Sequence, residues 1–83
     1  MHGEIMQAIC TKYLSPTNFH GARIKAYCES GLSVTIPVNY ALNGQALHFA
    51  AVVEFCHRHP GWGPAGTYRA GAIKSGYAWV DCK

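Results

Sequence analysis

The chain is short of charge, and of acid above all. Lys and Arg number 7 and Asp and Glu 4 among 83 residues, so charged residues make up 13%, about half the usual share. Four carboxylates, on Glu4, Glu29, Glu54 and Asp81, are too few for the dense acidic surface of a DNA mimic. They show no paired spacing of the kind general acid–base catalysis uses, and no Ser-His-Asp set is apparent. No apolar run approaches the ~18 residues a membrane helix requires. The opening stretch "MHGEIMQAICTKYL" lacks a basic region followed by an apolar core and a small-residue cleavage site, so no secretion signal is expected. A cytoplasmic chain follows, with Cys10, Cys28, Cys56 and Cys82 as reduced thiols. Export would instead permit three disulfide pairings that the sequence does not rank.

What remains is a weakly charged surface rich in Tyr, His, Ser, Thr, Asn and Gly around an ordinary apolar share of 49%. Such a surface favours contact with other macromolecules. The reading is a single domain over residues 1–83, with 1–5 as an extension because Met6 can serve as a start. A chain this short buries only ~60–65% of the surface its unfolded form exposes. A deep, walled pocket is therefore not expected. The reading is not an enzyme, and it calls for no cofactor.

Residues Glu4–Leu14 read as a strand with Met6, Ala8 and Cys10 on one side and Ile5, Ile9 and Tyr13 on the other. A Ser15–Gly21 loop follows. "ARIKAYC" alternates cleanly: Ile24, Ala26 and Cys28 against Arg23, Lys25 and Tyr27. After a turn at Gly31, Leu32, Val34, Ile36 and Val38 point inward, and Pro37 suggests a sheet edge. Asn43 is placed to cap a helix running from Gln45 to about Arg58. Its expected buried stripe is Ala46, Phe49, Ala50, Val53 and Cys56, with Val52 beside it and a Glu54–Arg58 pair on the far side. Leu47 and Phe55 miss that stripe. They read as partner contacts, as the seam of a homodimer, or as residues covered by the Gly61–Gly66 loop. "TYRAGAI" and "YAWVDC" read as two more strands around "KSG". The predicted fold is α+β: an antiparallel sheet of about five strands, in the order β-β-β-α-β-β, with one helix packed on one face.

"FCHRH" (Phe55–His59) offers Cys56 and His59 as zinc ligands at i,i+3. No second ligand pair at zinc-finger spacing exists, so the favoured reading makes Cys56 a core residue. His57 and His59 then complement the negative end of the helix. A thiolate nucleophile at Cys56 is disfavoured by its inward setting at a helix C-terminus. Trp62 is expected to fold back as an edge plug, with partner contact as the sharper alternative, and Trp79 is placed with Tyr77 on the open face.

The more telling pattern is basic and aromatic. Arg23, Lys25 and Tyr27 share one strand face, Lys12 and Tyr13 lie just before the loop leading to it, and Arg69 and Lys74 lie on or near another strand. If the helix roofs the Ile24/Ala26/Cys28 side, the cationic side is left open. It would suit phosphates and bases, or an acidic groove of a partner protein. The bland alternative is a solvated face with scattered cations.

The words "KYLSPTNF" and "GARIKA", within Met6–Pro37, resemble the N-terminal part of a group of short proteins from temperate phages and integrated elements of Gram-negative bacteria. The closing "YAWVDCK" is similar to the tail of a small type I anti-CRISPR family. The resemblance implies a setting and assigns no residue a role. In that setting the chain is expected to inhibit a host defence complex, a CRISPR surveillance complex, by steric occlusion. Lys12, Arg23, Lys25 and Tyr27 then occupy a surface meant for nucleic acid. The alternatives are a basic nucleic-acid-binding protein and a small structural zinc domain.

Overall fold

Period-two alternation builds five strands, and the computed structural model, which describes residues 8–74 and 76–81, shows them in one antiparallel sheet. They are β1 (Ala8–Leu14), β2 (Arg23–Tyr27), β3 (Ser33–Pro37), β4 (Tyr68–Ile73) and β5 (Gly76–Asp81). Their spatial order is β3-β2-β1-β5-β4. The helix α1 (Gly44–Arg58) separates β3 from β4 in the chain, so the predicted α+β architecture is the observed one. The expected features at Glu4–Gln7 and Cys82 fall outside the described residues. Pro37 ends β3 at one edge of the sheet, where its missing N–H breaks no ladder.

Two glycines are required by geometry. Gly31, at φ 98, turns β2 into β3, with its N–H donating to the Cys28 carbonyl at 3.1 Å. Gly76 starts β5 where the strand passes so close to β1 that a Cβ would run into the carbonyl oxygen of Thr11.

One face of the sheet carries the core. Ile9, Ile24, Ala26, Val34 and Trp79 pack beneath Ala51, Val52 and Phe55 of α1. Of the settings expected for Phe55, as a partner contact, a dimer seam or a residue covered by the Gly61–Gly66 loop, the last is the observed one: it is 0% exposed, with the Trp62 ring against it. Leu47 packs partly buried against the same cluster. The buried stripe is His48, Ala51, Val52, Phe55 and Cys56, an i, i+3, i+4, i+7, i+8 set. The predicted stripe was out of phase: Val53 is 46% exposed and Ala46 is exposed. Trp79 also reverses its expected place. It is 2% exposed beneath α1, with the Phe49 ring 5.4 Å away.

Asn43 does occupy the helix N-cap, but its side chain makes no capping bond. Gly44 enters the helix at φ 55, an approach that ordinary capping residues do not share. The Glu54–Arg58 pair forms, Oε2 accepting from Nε at 2.7 Å. Past the helix, two 3-10 turns (Pro60–Trp62 and Ala65–Thr67) fold back over the core. Trp62 stands edge-on to Phe55 at 5.1 Å, and its carbonyl accepts from the Tyr68 hydroxyl at 2.7 Å. It is the edge plug.

Candidate partner-binding face

With Ile24, Ala26 and Ile9 under the helix, alternation puts their neighbours on the other side. Register then sets them in rows. Tyr27 lies beside Cys10 in one row, Lys25 beside Lys12 in the next, and Arg23 beside Leu14 in the third. From β3, Ser33, Thr35 and Pro37 extend the same rows. No described helix crosses this face.

Two lysines directly opposite one another are a destabilising cross-strand pair. Tyr27 offsets part of that cost. The Lys12 and Lys25 ammonium nitrogens lie 5.5 and 5.8 Å from its ring centroid, within cation–π range. Among the described residues, neither lysine nor Arg23 forms an ion pair. Arg23 Nε is buried with no hydrogen-bond partner among them. Its guanidinium is therefore poorly solvated on one edge, which strengthens its attraction for an anion on the other. The three cations and Tyr27 share adjacent rows of one face, and among the described residues no carboxylate pairs with them.

Arg69 and Lys74 do not join that cluster. Arg69 lies on edge strand β4, with β5 between it and β1. Its Nη1 turns back onto the carbonyls of Gly66 at 3.1 Å and Tyr68 at 3.2 Å. There it borders a shallow cavity of about 360 Å³ walled by Phe49, Tyr68 and Trp79. Lys74 is exposed in the β4–β5 turn.

The zinc candidates each have a packing role. Cys56 lies in the core, and the His59 ring packs 4.9 Å from that of Phe55. Among the described residues, no three His, Cys, Asp or Glu side chains come within metal-binding reach of one another.

The residue that sequence reasoning missed is His48. Its Nδ1 lies 2.8 Å from Thr11 Oγ1, which also accepts from Trp79 Nε1 at 3.1 Å. The Tyr77 ring stands edge-on to the imidazole at 4.8 Å. With the indole N–H on the hydroxyl oxygen, the hydroxyl proton has Nδ1 at 2.8 Å and the Tyr77 carbonyl at 3.5 Å to choose from, and the shorter contact favours the Nε2–H tautomer of His48. A histidine beside a hydroxyl is the geometry of an activated nucleophile, but Thr11 is 0% exposed, closed to any substrate. The group is a buried polar knot that ties α1 to β1 and β5. Burial pushes the His48 imidazole below the usual histidine range.

Two more rings were passed over: Phe19 is 89% exposed and Tyr40 82%. Their signal in the sequence is an aromatic placed inside a Pro/Asn/Gly loop. No described helix is long and apolar enough to cross a membrane. No protein-family model, curated protein or solved structure matches this chain.

Proposed function

We propose that the chain is a non-enzymatic binding protein whose working surface is the β1–β3 face, and whose partner is anionic there. The observation that carries this is the Lys12–Lys25 pair, held over Tyr27 and, among the described residues, without a carboxylate partner. A fold that needed only a solvated face has no reason to keep two lysines opposed across strands.

The resemblance of Met6–Pro37 to phage-encoded proteins supports a setting: inhibition of a host defence complex, with a CRISPR surveillance complex as the target. Charge refines the mechanism. A channel built for nucleic acid is itself positive and would repel this face. The face fits instead an acidic protein surface of such a complex, or nucleic acid. Direct nucleic-acid binding is the second reading, favoured by the ring set among the cations.

Pull-down with purified surveillance-complex subunits tests the inhibitor reading. The expected result is capture by the wild-type chain and loss of capture by K12E/K25E. Capture of no subunit, or equal capture by the charge-reversed chain, contradicts it.

A further inference from the structure

At the end of the sheet where the last row of the β1–β3 face lies, two loops each present a bare aromatic ring. Leu14, Arg23 and Pro37 make that row, at the end of the sheet where β1 and β3 finish and β2 begins. Phe19 lies in the loop between β1 and β2, and Tyr40 in the segment leaving β3. The Val38 N–H donates to the Ala22 carbonyl at 3.1 Å, which ties the two loops side by side.

Both loops are pinned. Thr17 Oγ1 accepts from the N–H of Phe19 at 3.2 Å and of His20 at 3.0 Å, and Thr17 N–H donates to the His20 carbonyl at 2.7 Å. Asn39 Oδ1 accepts from the Ala41 N–H at 2.9 Å, and the Leu42 N–H donates to the Asn39 carbonyl at 3.0 Å. Turns of this kind spend side-chain hydrogen bonds to fix a local path. Here the path leaves the rings of Phe19 and Tyr40 in water, where each forgoes the gain of burial. Nothing in the fold calls for either ring.

We propose that this end of the molecule, with the cationic rows behind it, is a binding site for single-stranded nucleic acid. The inference rests on the reading of the β1–β3 face as the working surface and names its occupant. Lys12, Lys25 and Arg23 hold phosphates. Phe19 and Tyr40 stack on bases, which only an unpaired strand can splay outward. Rows in a strand recur at about 6.6–6.8 Å, so the lysine row and the Arg23 row are successive anchor points rather than a single-ion pocket, and the ring-bearing loops lie at the Arg23 end. An acidic protein surface satisfies the cations but gives no reason for two rings pinned in water beside them. A duplex satisfies the cations but hides its base faces.

The test titrates short oligothymidylate, the same sequence as a duplex, and a polyglutamate peptide into the full chain at low salt, read by fluorescence anisotropy. Binding of the single strand is expected to be the tightest of the three. F19A and Y40A are each expected to weaken it roughly fivefold to a hundredfold while duplex binding stays unchanged. Both rings are exposed, so these variants fold as the parent does, which a melting curve checks. Equal binding of single strand and duplex, with F19A and Y40A silent but K12E/K25E weaker, overturns the single-strand assignment and leaves the basic face standing. Preference for polyglutamate makes the occupant an acidic protein. Binding of none of the three at low salt sinks both the inference and the reading beneath it.

Discussion

Replacing Lys12 by Glu is expected to stabilise the fold and weaken anion binding at once. In the sheet, Lys12 faces Lys25 across β1 and β2. Lys12→Glu turns a like-charge cross-strand pair into an opposite one, a gain of roughly 0.5–1 kcal/mol after losing one cation–π contact. For a domain of this size that raises Tm by about 2–8 °C. The same change removes two units of charge from the docking cluster. At about 1 kcal/mol per unit in a water-like setting, affinity for an anionic ligand falls roughly tenfold to a hundredfold. It also shrinks the slope of log affinity against log salt by about one. The gain in stability follows from the register alone, whereas the loss of affinity is expected only of a docking lysine. Melting curves and salt-dependent titrations of the one variant check both; a lower Tm or unchanged affinity contradicts the account.

Replacing Thr11 by Val is expected to cost about 2–5 kcal/mol. Val keeps the shape but strands two buried nitrogens, His48 Nδ1 and Trp79 Nε1, which share the one hydroxyl. Each orphan costs ~1–3 kcal/mol. Against a total stability of roughly 4–12 kcal/mol for 83 residues, that is a large part of the whole. Thr11→Ser restores the hydroxyl and should recover most of the loss. Chemical denaturation checks the series; a Val variant as stable as the Ser variant would mean the knot contributes nothing.

The same knot predicts an acid limb. His48 is held neutral by burial, with its pKa lowered from about 6.5. The unfolded chain therefore takes up this proton first as pH falls. The stability contributed by the neutral imidazole is full above pH 6.5 and drains away as pH drops from there towards the lower folded-state value. Once charged, Nδ1 must donate to Thr11 Oγ1, and the hydroxyl proton is left with the Tyr77 carbonyl at 3.5 Å, a poor bond. His48→Gln should lose less stability than wild type between pH 6.5 and 5. Parallel acid limbs for the two proteins would assign the effect to other groups.

Much of this architecture was legible because strands declare their faces by alternation. Ile24 and Ala26 against Arg23 and Lys25 leaves no ambiguity once a single helix is present to cover one side. Gly31 marked its turn, and Pro37 its edge, for reasons local to those residues. The helix was legible in extent but not in rotation. Between Gln45 and Arg58 only Glu54 and Arg58 carry formal charge, and apolar residues surround them on several sides, so more than one stripe fits the 3.6-residue period. The stripe of Ala46, Phe49, Ala50, Val53 and Cys56 left His48 out and was the wrong one. The true phase depends on a hydroxyl from β1 being there to receive that imidazole, a contact 37 residues away in sequence. Trp79 was misplaced for the same cause, since its indole N–H tolerates burial only because Thr11 accepts it. Of the site, the Arg23/Lys25/Tyr27 face was readable. The direct opposition of Lys12 and Lys25 was not, because it depends on register. The exposure of Phe19 and Tyr40 depends on turns closed by Thr17 and Asn39, and apolar rings in a short chain otherwise read as core.

The most direct test of an open, anion-binding β1–β3 face is an amide chemical-shift map of the chain as short oligothymidylate is added at low salt. The account predicts saturable shifts at Lys12, Arg23, Lys25 and Tyr27, spreading to Phe19 and Tyr40, with the buried helix residues Ala51, Val52 and Phe55 unmoved. Shifts confined to the outer side of the helix, or none at all, would contradict it.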